Sequence, residues 1–319
     1  MAHTVSYVLR VVTLADLSVR PAKPSDAEAI VALSGGRARR FLGVADLDLA
    51  EFQALLSVPG RDLARSTVTA WSSDGDLLGF GYVADDESGS HTSTFTDVAE
   101  LIESEPAHRE LVELVDHMAA EAGRPVVHGC VALDEPALAV LRALGMRELR
   151  RFDLMWRELA APIDAPFVPA GVQLRPFDVD RDLAPVYACL AAAFEDHFGG
   201  GFPTFEAFRH TLASAESFNP DLWVVCFGRV GVVGAAVSTP TFPERDGYGY
   251  LTDLGVLREH RGHGLGSALL QESFRRLQAA GRTGCALHVD ADSETGARRL
   301  YERAGMTREA RYVTYGVPS

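Results

Sequence analysis

The feature of this chain that most restricts its fold is a weak internal repeat. Val19-Arg20-Pro21 in the first half corresponds to Leu174-Arg175-Pro176 in the second, an offset of 155 residues (175 minus 20). Leu78-Gly79 and Val233-Gly234 keep the same offset. A chain of 319 residues is long enough for two domains that each bury a core. The repeat therefore predicts two tandem copies of one fold.

A proline-rich segment lies between the two copies. Ala160–Gly171 carries three prolines in twelve residues, which disfavours both a helix and a central strand. We therefore predict an N-terminal domain over residues 1–160, a linker over 161–171 and a C-terminal domain over 172–319.

The second half alternates between runs of strand character and a helical periodicity. Leu222–Phe227 and Val230–Val237 are apolar, β-branched runs separated by a turn, which predicts a hairpin. The order of the elements predicts an α/β (α+β) fold, in which each domain has a mixed, mostly antiparallel central sheet flanked by helices. The further predicted elements are strand Tyr248–Val256, helix Ser267–Ala279 with Leu269, Leu270, Phe274 and Leu277 on one face, strand Cys285–Val289, helix Thr295–Arg303 and strand Ala310–Val317.

Composition excludes several classes of function. The formal charge of −14 would repel a phosphate backbone, so we expect no nucleic-acid partner. No apolar run approaches the roughly 18 residues that span a bilayer, and the N-terminus does not resemble a signal peptide, so we expect a cytoplasmic protein without a membrane partner. The four cysteines are far apart in apolar surroundings, which predicts reduced thiols and no metal site.

A glycine-rich stretch between a predicted strand and a predicted helix carries the strongest chemical signal. Glycines at 262, 264 and 266 allow several backbone N–H groups to converge where the helix dipole also favours an anion. Arg258 and Arg261 add positive charge to this region of an acidic protein. The stretch predicts a pyrophosphate cradle, although it has neither the glycine spacing of a dinucleotide fold nor the Lys-Ser/Thr ending of a P-loop.

The spacing Arg261-x-x-Gly264-x-Gly266 resembles the acyl-CoA signature of the GNAT acetyltransferase superfamily. The resemblance implies that acetyl-CoA, or another short acyl-CoA, binds along the preceding strand and this loop. It implies the following cofactor-binding residues: Leu254, Gly255, Val256, Arg261, Gly262, His263, Gly264, Leu265, Gly266 and Ser267.

A second motif lies downstream. Leu300-Tyr301, followed by Gly305-Met306, is similar to the late Leu-Tyr-x-x-x-Gly-Phe/Met pattern of the same superfamily. The resemblance implies that Tyr301 donates a proton to the departing CoA thiolate. A phenol with a pKa near 10 suits a thiolate of roughly similar basicity.

The acceptor pocket of the superfamily corresponds to the stretch around Asp196, His197, Phe198 and Phe202. This stretch resembles an Asp-His-aromatic-Gly segment of tandem-domain actinobacterial members, a group that includes the mycothiol synthase type. The resemblance implies that Asp196 and His197 orient or deprotonate an amine while the two phenylalanines wall the site. A glycine-capped helix end with a histidine that complements the dipole explains the same residues equally well.

The proton acceptor is the hardest residue to assign. Some related enzymes have a glutamate on the strand before the glycine loop, and this sequence has Tyr250 at that position. Asp253 is a candidate base on the same strand, although period-two alternation predicts that it faces the other side from Tyr250. Glu244, Asp246 and His197 are further candidates.

The first half has the fold pattern without the chemical motifs. Its Ala99–Glu105 has no glycine and three glutamates, which would repel a pyrophosphate. Leu144-Gly145-Met146 corresponds to Ala304-Gly305-Met306 at an offset of 160 residues (304 minus 144), which places Leu141 where the second half has Tyr301. We predict that the N-terminal domain is degenerate.

These observations predict an N-acyltransferase that moves an acetyl or short acyl group from acyl-CoA to the amine of a small molecule by direct attack in a ternary complex. The competing interpretation is a non-catalytic acyl-CoA sensor or interaction protein. Tyr301 beside an intact loop favours the enzyme, and the missing strand glutamate leaves the sensor as the alternative. The acidic balance suits a cationic acceptor, and we expect a monomer or a homodimer.

Overall fold

The computed structural model describes residues 11–43, 49, 52–53, 62–85, 91–195, 202–206, 208–209, 218–242, 245–293 and 295–317. These residues form two compact units. The N-unit contains the described residues up to Ala84, Thr92–Arg147 and the residues from Tyr315 onward. The C-unit consists mainly of Glu148–Thr314.

The N-unit has a sheet in the order β1-β2-β3-β4-β5. Neighbouring strands are antiparallel at β1–β2 and β2–β3, and parallel at β4–β5. The strands are β1 Ser18–Arg20, β2 Thr67–Trp71, β3 Leu77–Asp85, β4 Thr92–Val98 and β5 Val126–Val131, and the helices are α1 Ala27–Leu42, α2 Leu63–Ser66, α3 Pro106–Ala120 and α4 Glu135–Ala143.

The C-unit has a sheet in the order β12-β6-β11-β10-β9-β8-β7. The pairs β6–β11, β10–β9, β9–β8 and β8–β7 are antiparallel, and β10–β11 is parallel. The strands are β6 Arg147–Glu158, β7 Gln173–Pro176, β8 Val224–Phe227, β9 Val232–Thr239, β10 Tyr248–Val256, β11 Gly284–Asp290 and β12 Thr307–Gly316, and the helices are α5 Val179–Ala193, α6 Leu265–Ala279 and α7 Ala297–Arg303. The predicted mixed, mostly antiparallel fold is confirmed.

The two units repeat one another in detail. In each, a short strand and a helix precede two antiparallel strands, and a helix connects the two strands of a parallel pair. The Arg-Pro pairs of the sequence repeat have the same role in both units. Arg20 forms a bidentate ion pair with Asp26, and Arg175 forms one with Asp182. Each arginine also donates to the carbonyl of the proline that follows it. We call these two ion pairs the Arg–Asp clasps.

The offset of the C-terminal motifs is also visible in the structure. The backbone N–H of Met146 donates to the carbonyl of Leu141 at 3.1 Å, and that of Met306 donates to the carbonyl of Tyr301 at 3.0 Å. Leu141 therefore occupies the position of Tyr301 in the N-unit.

One strand precedes the proline-rich segment in the chain yet belongs to the C-unit. β6 pairs with β11 from Glu158 opposite Gly284 to Phe152 opposite Asp290. Leu154 and Met155 of β6 are buried. Residues 160–171 contain neither helix nor strand.

Helix α6 packs its apolar face against the sheet of the C-unit. The predicted face residues Leu269, Leu270, Phe274 and Leu277 are all buried, and each such side chain contributes about 1.5–3 kcal/mol of burial. Gly249 of β10 allows close packing, because a Cβ there would lie 2.4 Å from the Leu277 side chain. No helix in the described ranges is both long and apolar enough to cross a membrane.

Candidate functional site

The site begins where two parallel strands separate. β10 and β11 are paired only from Tyr248 opposite Gly284 to Tyr250 opposite Ala286, although both strands continue beyond this point. The residues beyond the pairing line a cavity of roughly 1590 Å³ in the C-unit. A gap between parallel strands leaves backbone N–H and C=O groups available to a ligand.

A β-bulge in β10 changes which side chains share a face. Leu251 lies opposite Ser238 on β9, and Asp253 lies opposite the next residue, Val237, so that Thr252 is the extra residue. Tyr250 and Asp253 are therefore on the same face of the sheet. The prediction that they face opposite sides is wrong, because strict alternation does not hold across a bulge.

The glycine loop ends at the start of α6 and lines the cavity. Gly262 and Gly264 have φ values of 79° and 85°, which other residues rarely adopt. The first-turn N–H groups of Leu265, Gly266 and Ser267 have no acceptor within the helix, and the helix dipole adds positive potential there. This arrangement suits a phosphate group. Among the predicted loop residues, His263 does not line the cavity.

Arg261 anchors the loop. Its guanidinium donates to the carbonyl of Val256 at 3.0 Å and to that of Ala193 at 2.8 Å, which joins the loop to the ends of β10 and α5. Gly255 allows α5 to approach, because a Cβ there would lie 2.9 Å from the Leu190 side chain. The side chain of Arg261 thus holds the shape of the loop, while its residue still borders the cavity.

Three further arginines line the same cavity. Arg299 and Arg303 are one helical turn apart on the outer side of α7 and are exposed. Arg157 lies over the Phe274 ring at 5.1 Å and donates to the carbonyl of Ala304 at 2.6 Å. The sequence analysis missed these residues, although an i,i+4 arginine pair next to the Tyr301 motif was a readable signal. Their charge suits a polyanionic ligand.

Tyr301 lies on α7 and lines the cavity while only 7% of it is exposed. Burial raises the pKa of its phenol, and Cys285 and Asp253 nearby raise it further. The phenol therefore keeps its proton at neutral pH, which a general acid requires. Burial also raises the pKa of Asp253 to about 6.

A histidine that the sequence analysis did not single out lies in the cavity. The Nδ1 atom of His288 on β11 is 2.8 Å from the hydroxyl of Tyr250. Solvent reaches this side chain, yet protein surrounds most of the ring, and the resulting desolvation lowers its pKa to about 4. The signal was not readable from sequence, because it depends on how β10 and β11 pair.

The predicted acceptor residues are only partly described. Asp196, His197 and Phe198 lie outside the described residues, as does Glu244. Phe202 stacks on Phe194 with ring centres 5.6 Å apart, and it is Phe194 that lines the cavity.

The thiols of the C-unit are poor nucleophiles. Burial raises the pKa of Cys285 to about 12, as it does for Cys189, and raises that of Cys226 to about 11. The structure gives no support for an acyl-enzyme at Cys285. Within the described ranges, no cluster of three or more His, Cys, Asp or Glu side chains is arranged to bind a metal ion.

The corresponding helix start in the N-unit is occupied by the chain itself. The N–H of Ala107, in the first turn of α3, donates to the carbonyl of Val12 at 3.0 Å. The N–H of Val12 donates in turn to the carboxylate of Glu105 at 3.0 Å. A phosphate group would have to displace this segment.

Comparisons with known proteins agree with this geometry. Residues 187–306 match the model of the acetyltransferase (GNAT) family. Over 283 residues the chain is 31% identical to a mycothiol acetyltransferase of Thermomonospora curvata, an alignment that covers 88% of this chain and 90% of that one. The chain belongs to the GNAT family of acetyltransferases.

A mycothiol acetyltransferase of Thermobispora bispora is 35% identical over 187 residues, but the alignment covers only 57% of this chain and 62% of that relative. The solved structure of a GCN5-related N-acetyltransferase from Sphaerobacter thermophilus superposes with a TM-score of 0.79 and 28% identity, and it covers 94% of this chain and 95% of its own. The GNAT chain described here is thus an acetyl-CoA-dependent N-acetyltransferase, and the expected cofactor is confirmed.

The described residues fit acetyl-CoA. The helix start of α6 offers N–H groups to a pyrophosphate, and Gly266 allows α7 to pack close to it, since a Cβ would lie 3.2 Å from the Leu300 side chain. The cavity volume of roughly 1590 Å³ exceeds that of ordinary small-ligand pockets, as an extended cofactor requires.

Proposed function

We propose that the C-unit transfers the acetyl group of acetyl-CoA to the amine of a small molecule by direct attack in a ternary complex. The observation that carries this proposal is the cavity between the separated ends of β10 and β11, which is bordered by the start of α6, by Tyr301 and by His288. Donor, acid and acceptor can meet there without a covalent enzyme intermediate.

The backbone groups of the site bind and orient the donor. The N–H groups of Leu265, Gly266 and Ser267 hold the pyrophosphate, and the arginines 157, 299 and 303 neutralise the remaining phosphate charge. From Leu254 to Val256, β10 pairs with β9 but not with β11, and the backbone groups on its free edge bind the pantetheine arm and polarise the thioester carbonyl. When bound, acetyl-CoA supplies an activated acyl group. The CoA sulfur needs a proton when it leaves that group.

Tyr301 supplies that proton. Its hydroxyl carries a proton at neutral pH, because burial has raised the pKa of the phenol, and it can pass that proton to the sulfur as the C–S bond breaks. Asp253 remains a candidate for taking the amine proton, since the bulge places it on the face of Tyr250. Asp196, His197 and Phe198, with Phe202 behind Phe194, are our candidates for contacting the acceptor.

The acceptor is a small-molecule amine. The formal charge of −14 favours a cationic acceptor. The mycothiol acetyltransferases that resemble this chain make a mycothiol-related amine the first acceptor to test.

The test is a calorimetric titration with acetyl-CoA followed by a thiol-release assay against a panel of amines. We expect one site per chain, and no binding after Gly264→Val together with Gly266→Val. The first change is strained at φ 85°, and the second crowds Leu300 beside the first turn of α6, so both disturb the helix start. Gly75→Val, at a φ of 89° in the N-unit with nothing within 4 Å of its Cβ, is the matched control and should bind normally. Acetyl-CoA binding without thiol release for any amine would contradict the proposal.

A further inference from the structure

The residue at the family's glutamate position makes a contact that suggests how the missing carboxylate is replaced. Tyr250 has its hydroxyl 2.8 Å from Nδ1 of His288, across the gap between β10 and β11. We propose that His288 is the catalytic base of the C-unit and that Tyr250 positions it. This inference rests on the function proposed above and names the group that takes the amine proton.

Aromatic rings hold the imidazole in place. Tyr250 meets the His288 ring nearly edge-on, with centres 5.9 Å apart and planes at 65°, and Tyr312 of β12 lies 5.5 Å from it. Phe242 in turn stacks flat on Tyr250, with centres 5.4 Å apart and planes at 9°. A base whose orientation is fixed before the substrate arrives needs no reorganisation during the reaction.

The second nitrogen of His288 is available to a substrate. Among the residues that the structure describes, none pairs with Nε2, while the side chain is exposed to the cavity and lines it. When Nδ1 carries the hydrogen and donates it to the oxygen of Tyr250, the lone pair of Nε2 is free to accept a proton. The hydrogen bond to Tyr250 then persists after His288 becomes an imidazolium.

The protonation state also suits the role. Desolvation lowers the pKa of His288 to about 4, so the imidazole is neutral at physiological pH. A base this weak cannot strip a free ammonium ion, but it can take the proton from an amine that is already bonded to the acyl carbon, because that nitrogen has become strongly acidic. The attacking nitrogen must therefore be neutral when it reaches the thioester, whatever charge the rest of the acceptor carries.

The step is balanced with two side chains. The lone pair of the amine forms the N–C bond at the thioester carbonyl, and the C–S bond breaks with its electron pair on sulfur. Nε2 of His288 takes the amine proton, and the hydroxyl of Tyr301 gives its proton to sulfur. Solvent then returns one proton to the phenolate and removes one from the imidazolium, which leaves an amide and free CoA.

The deciding variant is His288→Ala, measured with wild-type protein and the best amine of the panel. We expect kcat to fall about 10²-fold or more while the dissociation constant of acetyl-CoA is unchanged. Added imidazole should restore kcat about tenfold, since the truncated side chain leaves space in the cavity. His117→Ala, which removes an exposed histidine of α3 in the N-unit, is the matched control and should change neither kcat nor the response to imidazole.

Two further variants keep the test decisive. His288→Gln should lose the same activity without rescue, because glutamine fills the space but takes no proton. Tyr250→Phe keeps the ring stack on Phe242 and should lower kcat about tenfold, with an unchanged KM for the amine and no rescue by imidazole. If His288→Ala fails to bind acetyl-CoA, the turnover of His288→Gln decides whether His288 is the base.

Turnover within about threefold of wild type in a folded His288→Ala or His288→Gln protein overturns this inference and leaves the proposed function intact. Loss of turnover in Asp253→Asn beside full activity in the His288 variants moves the role to Asp253 and likewise overturns it. Wild-type protein that releases no thiol with any amine overturns the proposed function and this inference together.

Discussion

Tyr301 illustrates how one position can be both part of the core and part of the chemistry. Its ring is packed within the hydrophobic core of the C-unit, and only 7% of the residue is exposed. The same burial that stabilises the ring disfavours the phenolate, which raises the pKa. A tyrosine in this position therefore carries its proton at neutral pH and can pass it to the sulfur as the C–S bond breaks.

Removing the hydroxyl of Tyr301 tests this argument at the scale of a single residue. In Tyr301→Phe we expect kcat to fall about 10²-fold or more, because the leaving sulfur loses its acid. The affinity for acetyl-CoA should stay the same, since the ring and its packing are retained. Calorimetry and thiol release measure the two quantities. Tyr82→Phe, at a tyrosine of the N-unit that is 9% exposed, is the matched control. Full turnover in Tyr301→Phe would remove the acid role.

The Arg–Asp clasps join β1 to the start of α1 in the N-unit and β7 to α5 in the C-unit. Asp26 is buried beside Arg20, and Asp182 is buried beside Arg175, with side-chain exposures of 7% and 2% for the two carboxylates. The neighbouring guanidinium lowers the pKa of each carboxylate. Because the pKa of each carboxylate is lower in the folded than in the unfolded state, the clasp stabilises its unit at pH values above the unfolded-state pKa, which is near 3.9. That stabilisation is lost as the pH falls below about 4.

Substituting the two clasp carboxylates in turn should destabilise the two units separately. We expect Asp182→Asn to cost about 2 kcal/mol at pH 7 and to loosen the C-unit, whereas Asp26→Asn loosens the N-unit. Amide hydrogen exchange localises the effect, and each variant serves as the control for the other. The difference from wild type should shrink as the pH falls below about 4. If either variant increased amide exchange equally in both units, the prediction that each clasp stabilises only its own unit would be wrong.

At the level of elements, the sequence predicted the strands and helices whose bounds depend on local pattern. The strand Tyr248–Val256 was predicted with the bounds that the structure has, and α6 begins two residues before the predicted Ser267. Patterning determines these elements, because each shows one dominant period and a glycine-rich boundary. Tyr301 was found because a motif with fixed spacing carries it.

The rest of the site depends on pairing between distant segments, which local pattern does not encode. The bulge at Thr252 follows from the register of β10 on β9 and reverses the predicted face of Asp253. The contact between Tyr250 and His288 joins residues 38 positions apart and exists only because β10 and β11 separate after three residue pairs. Likewise, β6 lies beside β11 although a proline-rich segment follows it in the chain.

The chain contains one fold twice, and among the described residues the helix starts of the two copies differ. Both units have a parallel strand pair with a helix between the strands, so both have a helix start at the same topological place. In the C-unit the helix start faces a cavity. In the N-unit the first-turn N–H of Ala107 already donates to Val12. Because the chain occupies this helix start, and because three glutamates lie nearby, we expect a single acetyl-CoA site per chain.

These two causes make different predictions for a variant in which Glu100, Glu103 and Glu105 are all changed to Gln. If repulsion by the carboxylates alone kept acetyl-CoA away, the variant would gain a second site. We expect calorimetry still to give one site per chain, because glutamine can accept the hydrogen bond that Glu105 accepts from Val12, and the segment keeps its place on α3. Adding Gly264→Val and Gly266→Val to the triple variant should then abolish binding. A residual site in that combined variant would show that the N-unit binds acetyl-CoA once its charge is removed, and that charge rather than occupation silenced it.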